Sequence, residues 1–217
     1  QRRSSLKIYY VVYIKGEVVA DCLNAILCLI KPNVKHPAHI TVRGPYEEEI
    51  NIEPFNKKVW GIPLILNSVG RFTNPGQHVV FLGCNAPRLE SIWWKPDYSF
   101  VPHLTLYNGT SQKQADEIFS VANQYTYRLY FKARKLEPLI IGGEQSSPRP
   151  ISFNENNISV IAQERVSHES IATLSHQQKL NAMSALLRCL SRISDVYPYN
   201  VTELTWRSWE EFWQYEI

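Results

Sequence analysis

Two stretches of this chain, His39-Ile40-Thr41-Val42 and His103-Leu104-Thr105-Leu106, repeat one pattern, His-apolar-Thr-apolar, and it restricts the fold more than any other feature. Successive side chains of a β-strand point to opposite faces, so each His and Thr share one face while the apolar pair faces a core. Each stretch therefore predicts a strand that is packed on one side and carries an imidazole beside a hydroxyl on the other. A shuffled chain with the same histidines and threonines would hold about 0.2 His-x-Thr triplets, so two with matched apolar neighbours point to two halves of one site.

The surrounding sequence sets a helix before each motif strand. Leu6–Lys15 is an almost unbroken apolar and aromatic run, which predicts a strand buried on both faces. Val18, Val19, Cys22, Ile26 and Leu29 fall at helical spacing over Val18–Ile30, and Lys31-Pro32-Asn33 stops that helix. The first motif strand spans Ala38–Arg43. Glu47-Glu48-Glu49 suits a helix start and Pro54 interrupts a long one, so Tyr46–Lys58 is a loop with a short helix. Ile62–Val69 and Val79–Leu82 read as a hairpin around Thr73-Asn74-Pro75-Gly76. Pro87–Trp94 reads as helical, Val101–Tyr107 as the second motif strand and Ser111–Gln124 as a helix. Tyr125, Tyr127, Leu129 and Phe131 then alternate at strand period, and Leu136–Ile141 ends the series. The layout is α+β, with the order strand, helix, motif strand occurring twice.

Gly142–Pro150 is rich in Gly, Ser and Pro, which places a boundary near residue 150 between a core domain, 1–150, and a mostly helical C-terminal extension, 151–217. In the extension Ser175 and Gln178 form a capping box ahead of an apolar stripe of Leu180, Met183, Leu187, Leu190 and Ile193. Trp206, Trp209, Phe212 and Trp213 make a second stripe. Both stripes read first as surfaces that dock on the body, and secondly as a surface for a protein partner or a homodimer. Glu203, Glu210, Glu211 and Glu216 argue against an anionic membrane.

Composition narrows the class. The longest apolar runs, Ile8–Ile14 and Ala25–Ile30, are far shorter than the roughly 20 residues that span a bilayer. Four cysteines with no CxxC pair favour buried thiols and a cytoplasmic protein. A net charge of +3 suits a small anionic substrate better than sequence-blind binding along a duplex.

Two histidines and two threonines can serve phosphodiester cleavage. One imidazole takes the proton of the nucleophile while the other delivers one to the leaving oxygen, and both roles lie within the reach of a group that titrates near pH 6.5. The threonine hydroxyls can donate to the non-bridging oxygens, where charge grows. No metal and no other cofactor is required. A rival reading takes His36 and His39 with His103 as a three-histidine zinc site, but Pro37 prevents the helix that would set such a pair.

HITVRGPY at 39–46 and PHLTL at 102–106 resemble the paired HxT motifs of the 2H phosphoesterase superfamily, which includes the 2′-5′ RNA ligase-like proteins and cyclic phosphodiesterases. The resemblance runs from Leu6 to about Gly143 and takes in Ser68-Val69-Gly70-Arg71-Phe72 and Val79-Val80-Phe81-Leu82. It implies a bilobed, pseudo-symmetric α+β fold with two antiparallel-rich sheets and flanking helices around a central cleft. It also implies metal-free action on 2′,3′-cyclic phosphates or 2′-5′ and related phosphodiester bonds of nucleotides, cyclic oligonucleotides or RNA. His39 and His103 would be the acid–base pair, in either order, and Thr41 and Thr105 the phosphate ligands. The motifs stand closer together than is usual in the family, which implies a trimmed first lobe. Arg43 and Tyr107, each four residues past its histidine, are expected to share the strand face and touch substrate. Tyr10, Phe72 and Trp94 are candidates for stacking on a nucleobase, against a default of core packing. A different class of function is a nucleotide or RNA sensor with little turnover, coupled to a partner through the extension.

Overall fold

The computed structural model describes residues 5–142, 151–196 and 208–215. Trp206, Glu203, Glu216 and most of the Gly142–Pro150 segment lie outside them. The apolar run at the start forms β1 (Lys7–Tyr13), and α1 (Glu17–Ile30) follows, sealed on nearly every side from Val18 to Leu29. The first motif then opens β2 (His39–Tyr46), whose burial alternates through the motif as the His-apolar-Thr-apolar pattern requires. A short helix, α2 (Glu53–Val59), leads into the hairpin of β3 (Pro63–Asn74) and β4 (Gln77–Asn85). Pro87–Ile92 is a 3-10 helix, shorter than the sequence predicts. The second motif opens β5 (His103–Gly109), and α3 (Gln112–Ala122) follows with Ser111 capping its first turn through the Gln114 N–H. β6 (Leu129–Lys132) and β7 (Glu137–Ile141) complete the strands.

Alternation at Tyr125 and Tyr127 had predicted a longer β6. Both precede the strand instead, with Tyr127 Oη donating to the Ala122 carbonyl at 2.7 Å and Tyr125 Oη hydrogen-bonded to Ser184 Oγ at 2.8 Å. Their phenol groups anchor the end of α3 and the later helical layer, a role that mimics strand period.

All seven strands form one sheet in the order β6-β3-β4-β5-β2-β1-β7, and every pair of neighbours is antiparallel. This corrects the expectation of two separate sheets. The halves β7-β1-β2 and β5-β4-β3-β6 are joined where the motif strands meet, at the single pairing Ile40↔Leu104. Both residues are fully buried, and pairing spares the two motif strands an unsatisfied backbone edge. A local two-fold through that pair relates β2 to β5 and β1 to β4. A helical connection joins β1 to β2, as another joins β4 to β5.

The later segment contributes α4 (Glu155–Ala162), α5 (His176–Val196) and α6 (Trp209–Trp213). The capping box forms: the Ser175 N–H donates to Gln178 Oε1 at 2.8 Å and the Gln178 N–H to Ser175 Oγ at 3.1 Å. Leu186, Leu187, Leu190 and Ile193 of α5 are sealed into the same core as α1 and the inner sheet face. The terminal stripe is also docked. Phe212 is fully buried, the Trp209 N–H donates to Glu17 at 3.1 Å, and Trp209 Nε1 donates to Asp21 at 2.7 Å. These faces are occupied within the chain. The four cysteines are unpaired and buried, and burial pushes the Cys28 and Cys84 thiols up to about 11 and about 12. Among the described residues no helix is long and apolar enough to cross a membrane.

Candidate functional site

The two motifs meet. With Ile40 opposite Leu104, the antiparallel register sets His39 across from Thr105 and Thr41 across from His103, all four on the face away from the helical core. Residues directly across an antiparallel pair stand about 5 Å apart and diagonal ones about 7–8 Å, which leaves room for one phosphoryl group between the rings. The two histidines lie close enough that a charge on His103 disfavours one on His39.

The local geometry of the motifs is duplicated in two further ways. His39 Nδ1 donates to the Pro37 carbonyl and His103 Nδ1 to the Val101 carbonyl, each at 2.7 Å and each two residues back along the chain. A carbonyl only accepts, so both rings are held as the Nδ1–H tautomer with Nε2 left to take up or deliver a proton. The hydroxyls of Thr41 and Thr105 have no side-chain or backbone partner among the described residues. Each strand then carries a β-bulge directly after its threonine. Val11 pairs Thr41 and Tyr10 pairs Arg43, skipping Val42, while Phe81 pairs Thr105 and Val80 pairs Tyr107, skipping Leu106.

The bulges correct two expected site residues. The extra residue turns the next side chain off the His/Thr face, so Arg43 and Tyr107 leave the face that carries the four motif side chains. The Arg43 guanidinium instead donates to the Ile92 carbonyl at 2.6 Å and Tyr46 Oη at 3.1 Å, and stacks 3.9 Å over Phe55. Tyr107 is buried in the core, and its Oη accepts from the Ser111 N–H at 3.1 Å. Tyr10 is corrected too: it lies on the core face, where its Oη accepts from the Ile50 N–H at 3.0 Å. Phe72 stays in the site, edge-on to His103 at 5.4 Å between ring centres, with Phe81 4.8 Å away. Trp94 stacks on Tyr46 at 4.5 Å and remains 39% exposed.

Other residues complete the site without a signal in the motifs. Tyr13 pairs His39 across β1 and β2 and packs edge-on to its ring at 5.9 Å. The segment Trp93–Tyr98 carries Lys95, whose charge disfavours protonation of both histidines and whose ammonium lies 4.7 Å over the Tyr98 ring. Burial lowers the Lys95 pKa itself. Trp94 fastens this segment to β2, its N–H donating to the Val42 carbonyl at 3.2 Å and its carbonyl accepting from the Gly44 N–H at 2.9 Å. Gly44 has φ of +120°, and a Cβ there would lie 2.8 Å from the Ile8 carbonyl, so β2 can run this close to β1 only without a side chain. Lysine 95 sits in a Trp-Trp-Lys-Pro-Asp string that reads as an ordinary connection, and only the fold brings it to the motifs.

Burial sets the charge state of the pair. It lowers the His39 pKa to about 4, against the opposing pull of the Pro37 carbonyl, with the charges of His36, His103 and Lys95 adding to the drop. His103 is lowered for the same first reason, with the Val101 carbonyl opposing and Lys95 adding. The resting site therefore holds two neutral imidazoles beside one lysine. His36 acts on His39 through this electrostatic effect, and among the described residues no three His, Cys, Asp or Glu side chains gather as a metal set.

No family model and no curated protein matches the chain.

Proposed function

We propose that the protein is a metal-independent phosphodiesterase of the 2H phosphoesterase type, acting on 2′,3′-cyclic phosphates or on 2′-5′ or 3′-5′ phosphodiester bonds of nucleotides or RNA. The observation that carries this reading is the two-fold match of the motifs: same face, same Nδ1–carbonyl bond, same bulge, facing across one strand pair. A phosphodiester displacement has that symmetry itself, with a proton leaving one oxygen and another arriving on the opposite side of phosphorus. The pseudo-symmetric halves of the sheet support this reading, since the 2H fold would need two matched lobes. Four unpaired, buried cysteines support a cytoplasmic setting.

In the cleavage direction His39 is the general base, because burial holds it neutral most firmly, and His103 is the acid. Binding brings negative phosphate between the rings, which raises both pKa values and lets His103 carry the proton that it delivers to the leaving oxygen. Thr41 and Thr105 donate to the non-bridging oxygens, and Lys95 offsets the charge that accumulates there. Phe72 and Phe81 enclose His103 and exclude water from its side.

The test is turnover of 2′,3′-cyclic nucleotides and of 2′-5′ and 3′-5′ oligonucleotides, with product identification. His39→Ala and His103→Ala should each lower kcat by at least about 10²-fold, with the fold intact by circular dichroism. Tight binding of these compounds by the native protein with no product would replace this reading with that of a sensor.

A further inference from the structure

At the end of β1 lies a pocket of about 240 Å³ lined by Tyr13, Lys15, Lys132, Arg134, Lys135 and Glu137 among others. Among the described residues, four cationic side chains and one carboxylate line it. Glu137 holds Lys135 at 3.7 Å, and the Arg134 guanidinium lies 5.2 Å over the Trp60 ring. Lys15 stands exposed at the end of β1, and Lys132 is half-buried on β6. Like charges gathered around a concavity repel one another, and the arrangement becomes favourable when an anion occupies it.

The pocket is tied to the site by one ring. Tyr13 lines it and packs edge-on to the His39 ring at 5.9 Å between ring centres, which sets the pocket next to that end of the motif site. The two-fold of the sheet adds a second observation. Gly83 pairs His103 as Tyr13 pairs His39, and the hollow of about 340 Å³ at that end is lined by Asn67, Ser68, Phe81, Phe100 and other residues without a charged side chain. The two ends of a nearly symmetric site thus differ in charge: the His39 end suits a phosphate, and the His103 end a nucleoside.

We propose that the Lys15–Lys132–Arg134–Lys135 pocket is a second phosphate subsite, so that the substrate is an oligonucleotide bound in one direction, with a further phosphate on the His39 side, rather than a mononucleoside cyclic phosphate. The proposal rests on the phosphodiesterase reading of the motif site. The further phosphate has two sources, an internal phosphodiester or a terminal monophosphate, and the same pocket chemistry serves both.

The experiment compares kcat/KM for four compounds: a 2′,3′-cyclic mononucleotide, a dinucleoside monophosphate, the same dinucleotide with a terminal phosphate, and a trinucleotide with none. The second phosphate should raise kcat/KM by at least about 10-fold, mainly through KM, and the third and fourth compounds separate the terminal from the internal source. In Lys15→Ala/Lys132→Ala protein, and in Lys132→Glu protein, that gain should fall to about 2-fold or less while kcat/KM for the dinucleoside monophosphate stays as in the native protein. Equal kcat/KM for one-phosphate and two-phosphate compounds, or a gain that survives both variants, overturns the subsite. Should the native protein turn over none of the four, the catalytic reading fails by itself. Equilibrium binding of the dinucleotides with and without the terminal phosphate, to native and Lys15→Ala/Lys132→Ala protein, then decides the subsite by the same comparison.

Discussion

Each motif histidine is held by a bond to its own backbone two residues back, and this arrangement fixes a tautomer without fixing a charge. The charge is decided by burial, which favours neutral rings. The proposed mechanism needs one imidazole neutral and one protonated in the free protein, and that population peaks between the two pKa values. Both lie below the ordinary 6.5, with His39 at about 4, so the kcat/KM profile should be a bell whose apex falls below pH 6.5. Bound phosphate raises both values, so the apex for kcat should lie at higher pH than that for kcat/KM. Lys95→Met removes a positive charge that disfavours both imidazolium forms, and the kcat/KM apex should move upward as KM rises. A kcat/KM apex at or above pH 7.5 in the native protein would show that burial does not govern these rings.

At the level of strands and helices, the bulges after Thr41 and Thr105 divide the residues proposed to handle phosphate from residues that hold the site together. Arg43, turned away by its bulge, ties β2 to the 3-10 helix through Ile92 and to α2 through Phe55. It thereby steadies the connection that carries Trp94 and Lys95. Arg43→Ala should cost about 1–3 kcal/mol of stability, the range for hydrogen bonds to a charged group with a buried partner left unpaired. Its effect on kcat should be far smaller than that of either histidine substitution. Denaturant melts alongside kcat separate the two, and a loss of kcat equal to that of His39→Ala would return Arg43 to the chemistry. The motif strands, α1, the β3–β4 hairpin and the capping box were legible because periodicity and caps are local properties of sequence. The bulges were not, since an inserted residue leaves apolar alternation unchanged and alters only what its neighbours face, which is why Arg43 and Tyr107 were misplaced. Tyr10 was misread for another reason: β1 is apolar on both faces, so its pattern does not say which side meets the site. Lys95 and the basic pocket depend on contacts between distant segments, to which a linear pattern is blind.

The residues beyond 150 read as an extension, but their helices close the same core as the sheet. Ser191 Oγ donates to the Thr126 carbonyl at 2.7 Å, the Arg128 N–H donates to Ser194 Oγ at 2.8 Å, and Leu187 and Leu190 are fully buried against the body. Removing this layer would uncover α1, whose buried residues run almost without a break from Val18 to Leu29 and include no set of polar side chains fit to face water. A shared core implies shared cooperativity, because the cost of exposing α1 falls on the sheet and the later helices alike. Thermal unfolding should therefore be a single transition, with tryptophan fluorescence, to which Trp60, Trp93 and Trp94 of the body contribute as well as Trp209 and Trp213, coinciding with far-ultraviolet circular dichroism. Leu187→Ala should lower stability by about 2–5 kcal/mol and move both signals together. Two separated transitions, of which that substitution shifts only one, would instead establish the later segment as a unit that folds apart from the histidine site.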